Sequence, residues 1–256
     1  MPTYPPTSAN PPSTTVMRQE WRRLTFLHWP YEPAVVQRLL PPGLTVETYD
    51  GTAWVALVPF EMVAKAPVGP ELPWASRFWE TNVRTYVTGP DGRTGVWFLS
   101  LDASRFGAVA AARLGYSLPY YWSRMRLVAT DEGRDILYVT ERRWPRPAGR
   151  SVVQVRVGEP YAAAELTQRD HYFTARFALW ARTRRGLRWT PADHTPWPLH
   201  RAELLRLDDT LVTAAGLPAP QGEPVLHHSA GVAVRIGRDR PSGLPPGGLA
   251  LDQGEC

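Results

Sequence analysis

The fold of this chain is decided by residues 45–60, which read TVETYDGTAWVALVPF. Two runs rich in β-branched and aromatic residues flank Asp50-Gly51, and Asp-Gly is a preferred pair for a two-residue hairpin turn. This stretch therefore predicts two antiparallel strands joined by a tight turn.

The same pattern recurs further along the chain. Residues 78–87 (FWETNVRTYV) and 94–101 (TGVWFLSL) flank a Gly-Pro-Asp-Gly turn, and residues 120–130 and 135–144 flank an Asp-Glu-Gly turn. Three hairpins predict an antiparallel meander. Further strands are predicted at 151–157, 172–183, 187–190, 203–207 and 225–236. A sheet of this many strands is expected to close on itself rather than stay open.

Length and composition predict a single domain. With 256 residues and 43% hydrophobic residues, the chain can bury one large core. Residues 1–17 are rich in proline, and 239–256 in glycine and proline, so both are predicted to be disordered tails around a folded unit at 18–238. Short helices are predicted after Pro33, at 108–115 and near 209–215.

The charge pattern indicates few macromolecular partners. The net charge of +5 comes from arginine, because Lys65 is the only lysine. A net positive charge of this modest size does not favour a nucleic-acid partner. We find no apolar run long enough to span a membrane and no secretory leader, so we expect a cytoplasmic protein without a membrane partner. The sequence leaves open whether the protein forms a homo-oligomer.

The motifs of several enzyme classes are missing from the sequence. None of the six histidines has the spacing of a zinc motif. There is also no Gly-x-Ser-x-Gly elbow, phosphate loop or dinucleotide glycine fingerprint. We therefore expect neither a metal nor another cofactor.

Six segments carry a resemblance to a known family. They read WRRLTFLHW, YDGTAWVALVPFEM, FWETNVRTYV, GVWFLSLDA, AARLGYSLPYY and HTPWPLHRAEL, and the resemblance covers about residues 20–236. In this order they resemble the YqjF-like family of unknown function, in the acetoacetate decarboxylase-like superfamily. The resemblance implies a mainly β fold with minor α, in which an antiparallel sheet folds into a closed cone or barrel around an internal pocket. The hairpins predict the same class independently.

The resemblance also bears on mechanism. The decarboxylases carry a lysine pair after a Gly-Tyr-Pro motif, and one lysine forms a Schiff base with the substrate. The matching passage here ends in Tyr120 and Tyr121. A phenol cannot replace an amine as the Schiff-base nucleophile. Lys65 lies in a turn-like segment that is poorly suited to desolvate it, so we expect no Schiff-base chemistry.

Strand alternation selects further site candidates. It places Phe78, Glu80, Asn82, Arg84 and Tyr86 on one face of the strand at 78–87. From the residues alone, that face could equally be a solvated sheet surface. The resemblance implies that Glu80 enters the pocket, where it would be the proton shuttle. Arg84 would then clamp an anion, because its planar fork suits a carboxylate.

The remaining candidates are less clearly defined. Tyr120 and Tyr121 are candidate catalytic hydroxyl donors, and alternation allows only one of them to point inward. Asn82, Tyr86 and Arg113 join Arg84 as candidate substrate-binding residues. Arg113 is included because it matches an arginine of the superfamily. Asp102 is predicted to cap a following helix.

These residues support two functional interpretations. The first is a cofactor-independent acid/base enzyme, of lyase, dehydratase or cyclase type, that acts on a small carbonyl or carboxylate compound. The second is a non-catalytic protein that binds such a small molecule in the same pocket. In both, the partner is a small anionic or carbonyl-containing molecule, and the sequence does not choose between them.

Overall fold

The computed structural model describes residues 3–65, 77–106 and 118–243. Within them a single sheet contains fourteen strands. The strands are β1 Thr15–Tyr31, β2 Thr45–Val46, β3 Thr48–Tyr49, β4 Thr52–Lys65, β5 Arg77–Thr88, β6 Thr94–Ala103, β7 Tyr120–Thr130, β8 Asp135–Trp144, β9 Arg150–Pro160, β10 Ala178–Thr183, β11 Gly186–His194, β12 Leu199–Asp209, β13 Val225–Gly237 and β14 Arg240–Pro241. The described α-helices are α1 Pro33–Gln37, α2 Gln168–Thr174 and α3 Leu211–Ala214.

The sheet closes on itself. From β1 the pairing runs through β4 and β5 to β6, continues through β7, β8, β9 and β12 to β13, and returns to β1. The β10–β11 hairpin crosses this ring, because β10 pairs with β6 and β11 with β13. A smaller compartment is thereby enclosed by β1, β4, β5, β6, β10, β11 and β13. The predicted mainly β, closed and cone-like fold is confirmed, although the sheet is not a strict barrel.

The predicted hairpin turns are present. At the β3–β4 turn Asp50 and Gly51 have φ of 50° and 77°. Two positive φ values are what a type I′ turn requires. β5 pairs antiparallel with β6, and β7 with β8, as predicted. The uninterrupted meander is wrong, because β6 and β7 are parallel. A parallel pair needs a long crossover rather than a tight turn, and the chain supplies one between residues 103 and 120.

The strand predicted at 172–183 is wrong in its first part, which belongs to α2. The Thr167 side chain accepts a hydrogen bond from the Asp170 backbone, and the Asp170 carboxylate accepts one from the Thr167 backbone. This reciprocal capping box starts a helix where residue pattern alone suggested a strand. The predicted helix at 108–115, with Arg113, lies outside the described residues.

The N-terminal segment packs more than its composition predicts. The ring of Tyr4 lies 5.2 Å from that of Tyr172, and the Tyr4 backbone donates a hydrogen bond to Gln168. β1 begins at Thr15, three residues before the predicted start of the folded unit. There Thr15 pairs with Gly237 of β13, and from Arg18 onward β1 also pairs with β4. Lys65 is the last residue of β4 and its backbone pairs with that of Arg18, so the prediction that Lys65 lies in a turn is wrong.

The two faces of β5 separate two apolar cores. Phe78 packs in a core with residues of β1, β4, β11 and β13, within the smaller compartment. Val83, on the opposite face, packs in a second core with β8, β9 and α3. β5 is therefore an internal wall rather than a surface strand.

None of the helices among the described residues has the length and apolar character needed to cross a membrane.

Candidate functional site

The smaller compartment contains a cavity of about 280 Å³. That volume lies near the lower end of the range for small-molecule sites, about 300 to 1000 Å³. Most of its wall is apolar and comes from distant parts of the sequence, including Trp21, Phe60, Met62, Leu101 and Ile236. Because β1, β4 and β13 pair side by side, residues separated by more than 200 positions meet around one space.

A polar row runs along one wall of the cavity. Glu80, Asn82 and Arg84 of β5 all line it, as strand alternation requires of residues on one face. The solvated-surface alternative does not hold, since these side chains are buried: Glu80 is 3% exposed and Arg84 is 7% exposed. Both faces of β5 are covered, so a polar row here lies inside the molecule.

The Glu80 carboxyl is hydrogen-bonded and desolvated. The Tyr120 hydroxyl donates to its Oε2 at 2.9 Å, and Tyr120 also lines the cavity. Burial raises the pKa of Glu80 to about 7, and repulsion from Asp102 adds to the rise, while hydrogen bonds from Tyr120 and Asn82 oppose it. Burial and the neighbouring Glu80 carboxylate together raise the pKa of the Tyr120 phenol well above its usual value. Glu80 is thus suited to exchange a proton near neutral pH.

Replacing Tyr120 with phenylalanine is expected to raise the pKa of Glu80 further. The Tyr120 hydroxyl stabilises the charged carboxylate, and its loss removes that support. Tyr121→Phe is the matched control. The Tyr121 ring centroid lies 3.7 Å from the Arg142 guanidinium, and Tyr121 does not line the cavity. Carboxyl-selective NMR titration would measure both variants. A larger change in Tyr121→Phe than in Tyr120→Phe would contradict the assignment.

Arg84 is a buried cation without a described counter-ion. No described carboxylate pairs with it, its Nε has no described hydrogen-bond partner, and Nη2 lies 3.5 Å from the Phe173 carbonyl oxygen. The guanidinium is instead near aromatic faces, 5.4 Å from the Phe26 ring centroid and 5.9 Å from that of Tyr86. Burial lowers the pKa of Arg84, yet an arginine side chain keeps its proton in proteins. Such a group is well suited to pair with an anionic ligand.

The other predicted site residues fall in different places. Asn82 lines the cavity, and its Oδ1 is buried without a described hydrogen-bond partner. Tyr86 is buried away from the cavity wall, where its hydroxyl donates to the Phe173 carbonyl at 2.9 Å and lies 2.7 Å from His28 Nε2. Tyr121 does not line the cavity, and its ring packs against the Arg142 guanidinium. The structure therefore brings Glu80, Asn82, Arg84 and Tyr120 together but not Tyr86 or Tyr121.

Asp102 is not a helix cap, and that prediction is wrong. Its carboxylate is fully buried in β6 and accepts two hydrogen bonds from Arg142, at 2.8 and 2.7 Å. A third comes from the Ser123 hydroxyl at 2.7 Å. The reason is register: β7 follows β6 in parallel and β8 pairs with β7, which brings Ser123 and Arg142 beside Asp102. In the Asp102–Arg142 pair the two charges compensate each other, whereas no described carboxylate pairs with Arg84.

Several lining residues were not predicted. Gln19 and Trp21 of β1 share a face, so alternation could have grouped them, but nothing in the sequence says which face turns inward. Thr190 reaches the wall through the β10–β11 crossing, which has no local signal. Over the three described ranges we find no group of three or more His, Cys, Asp or Glu side chains placed to hold a metal ion.

The fold defines the class of protein. It is similar to an acetoacetate decarboxylase-like enzyme from Sphingomonas wittichii RW1, with a TM-score of 0.61 and 14% identity over 88% of this chain and 92% of that one. It is also similar to the enduracididine biosynthesis enzyme MppR complexed with pyruvate, with a TM-score of 0.61 and 14% identity over 89% and 90% of the two chains. Acetoacetate decarboxylase from Legionella pneumophila gives a TM-score of 0.58 and 11% identity over 91% and 93%. The architecture is therefore acetoacetate decarboxylase-like.

Sequence comparison gives the particular family. Residues 18–233 match the model of DUF2071, which is described as an uncharacterized conserved protein. The chain is also 34% identical over 220 residues to the uncharacterized protein YqjF of Bacillus subtilis (strain 168), covering 86% of this chain and 89% of that protein. This chain belongs to the DUF2071 family, and the resemblance drawn from its six motifs is confirmed.

Proposed function

We propose that this protein is a cofactor-independent acid/base enzyme, of lyase, dehydratase or cyclase type, acting on a small carboxylate that also carries a carbonyl group. One observation carries the proposal. A carboxyl whose pKa is raised to about 7 faces the same cavity as a buried arginine that pairs with no described carboxylate. A proton-exchanging group that shares a cavity with an anion-binding group is a combination typical of catalytic sites.

The proposed roles follow from the contacts. Arg84 binds the substrate carboxylate through its guanidinium. Ionised Glu80 removes a proton from the carbon next to the carbonyl, and the electron pair of the broken C–H bond moves onto the carbonyl oxygen as an enolate. Tyr120, whose hydroxyl lies 2.9 Å from Glu80 Oε2 in the same cavity, donates a hydrogen bond to the enolate oxygen. Protonated Glu80 then returns its proton at carbon or to a leaving group.

The proposal excludes an imine intermediate. Tyr120 and Tyr121 stand where the resemblance puts the decarboxylase lysine pair, and Lys65 is the only lysine of the chain. A Schiff base needs a lysine amine, since no other side chain here supplies a primary amine. The similar solved structures include enzymes, which is consistent with a small-molecule pocket, but at 11–14% identity they support the fold alone.

The test is a proton-exchange assay in D₂O with a panel of keto acids that includes pyruvate and acetoacetate. We expect catalysed exchange of the hydrogens next to a carbonyl for at least one compound, read by NMR. Treatment of the same mixtures with borohydride should leave no covalent adduct on the protein. A reduced imine on Lys65 would overturn the mechanism. Carboxylate binding without any exchange would instead favour the non-catalytic binding protein.

A further inference from the structure

We infer that the ligand is a monocarboxylate with an unbranched apolar chain, its carboxylate on Arg84 and its chain running along β5 to an apolar chamber at Phe78. This deepens the proposed function and rests on its assignment of Arg84 as the anion site. The inference comes from how polar and apolar side chains are distributed along the length of the cavity.

The cavity has two distinct ends, which strand register defines. β4 runs antiparallel to β5, so Ala56 lies opposite Arg84 at one end and Met62 lies opposite Phe78 at the other. Glu80 falls between them, opposite Phe60. At about 3.3 Å per residue, the Cα atoms of Phe78 and Arg84 are roughly 20 Å apart. The site is therefore elongated, with the cation at one end and Glu80 and Tyr120 partway along.

The far end is apolar. Its wall is formed by Met17, Met62, Ala64, Phe78 and Ile236, which meet because β1 pairs with both β4 and β13. We name these five residues the apolar chamber. Apolar surface of this kind gains most from an apolar occupant, because a ligand without a chain would leave it facing water.

The amide nearest the apolar chamber is already used within the chain. Gln19 pairs with Ala64 across β1 and β4 and lines the same part of the cavity. Its Oε1 accepts a hydrogen bond from Trp21 Nε1 at 2.8 Å, and its Nε2 lies 3.1 Å from the sulfur of Met17. Gln19 is thus held in the wall by one hydrogen bond at its oxygen and one contact at its nitrogen.

The charges favour one carboxylate rather than two. Among the described residues that line the cavity, Arg84 is the one cation, and Glu80 is the only other charged side chain. A second carboxylate on the ligand would have to lie beside Glu80 or in the apolar chamber. Neither position offers a counter-charge, so a dicarboxylate would leave a charge without compensation.

The test is a series of straight-chain carboxylic acids from acetate to decanoate, with the matching alcohols, titrated calorimetrically at about pH 6. Each methylene buried in the chamber contributes about 0.8 kcal/mol, so affinity should rise about fourfold per added methylene until the chamber is full. The alcohols should bind more weakly than the acids of equal length. Arg84→Met should weaken the acids of every length.

A second variant locates the chain. Ala64→Phe fills the apolar chamber, so it should lower the ratio of decanoate affinity to butyrate affinity by tenfold or more. Met62→Gln provides the same readout through polarity rather than volume, should Ala64→Phe not fold. Binding that depends on Arg84 but not on chain length would overturn this inference and leave the proposed function standing. Absence of binding by every acid would overturn both.

Discussion

Replacing Arg84 with methionine is expected to make the ligand-free protein more stable, by roughly 1 to 3 kcal/mol. Burying a guanidinium costs several kcal/mol of desolvation, and no described carboxylate offsets that cost for Arg84. Methionine has a similar length, keeps the contacts with Phe26 and carries no charge. The same change should weaken an anionic ligand by about 10- to 100-fold, the worth of a charged hydrogen bond. Thermal unfolding and calorimetric titration would measure the two effects.

Arg142→Met is the matched control. This second arginine is fully buried as well, but it forms two hydrogen bonds with Asp102. Removing one partner of a buried ion pair leaves the other uncompensated, so this variant should lose about 3 to 5 kcal/mol of stability. The two substitutions are thus expected to act in opposite directions. Equal destabilisation by Arg84→Met and Arg142→Met would contradict the assignment of Arg84 as an uncompensated cation that binds an anionic ligand.

Replacing Glu80 with glutamine is expected to lower turnover by about 10²- to 10⁴-fold, the usual contribution of a general acid or base. The variant keeps the shape of the side chain and can still accept the hydrogen bond from Tyr120. Binding of the ligand carboxylate to Arg84 should largely survive, so the loss should appear in kcat rather than in Kd. An unchanged exchange rate would remove Glu80 from the mechanism.

The same substitution should change how stability depends on pH. Burial raises the pKa of Glu80 from 4.5 in the unfolded chain to about 7 in the fold, so the fold prefers the neutral carboxyl. Below pH 4.5 Glu80 is neutral in both states and costs nothing. Between pH 4.5 and 7 the unfolded chain loses this proton while the folded protein retains it, so stability falls by about 3 kcal/mol over that range and levels off above it.

Glu80→Gln does not titrate, so it should be more stable than the wild type by about that amount at pH 8.5 and nearly equal to it at pH 4.5. Thermal unfolding at both pH values would measure the difference. Glu61→Gln is a suitable control, because the Glu61 carboxylate is buried but paired with Arg77. That variant should be less stable than the wild type at pH 8.5.

Local patterns predicted much of the fold. The Asp50-Gly51 turn and the β5 alternation are short-range features, and both appear as the sequence indicates. The parallel β6–β7 pair was missed because strand direction depends on a crossover that has no local signature. The helix at Gln168–Thr174 was missed because its capping box precedes a run of aromatic residues that also suits a strand.

The site could be predicted only in part, for a related reason. Alternation grouped Glu80, Asn82 and Arg84, but it could not say that the opposite face of β5 would be buried too. The second apolar core, with β8 and β9, buries that face: Val83 packs in it, and the Thr81 hydroxyl forms a hydrogen bond with the Thr140 hydroxyl of β8. Tyr86 belongs to the same row by sequence, yet the cavity ends at Arg84. The length of a cavity is a property of the closed sheet, and one strand does not encode it.

The most direct test of this account is the titration of Glu80 itself. Carboxyl ¹³C chemical shifts of glutamate-labelled protein, with Glu80→Gln to assign the signal, would give its pKa in the ligand-free state. We predict a value near 7, because desolvation outweighs the hydrogen bonds from Tyr120 and Asn82. A value at or below 4.5 would mean that Glu80 is an ordinary ionised carboxylate, and it would contradict the proposed role in proton transfer.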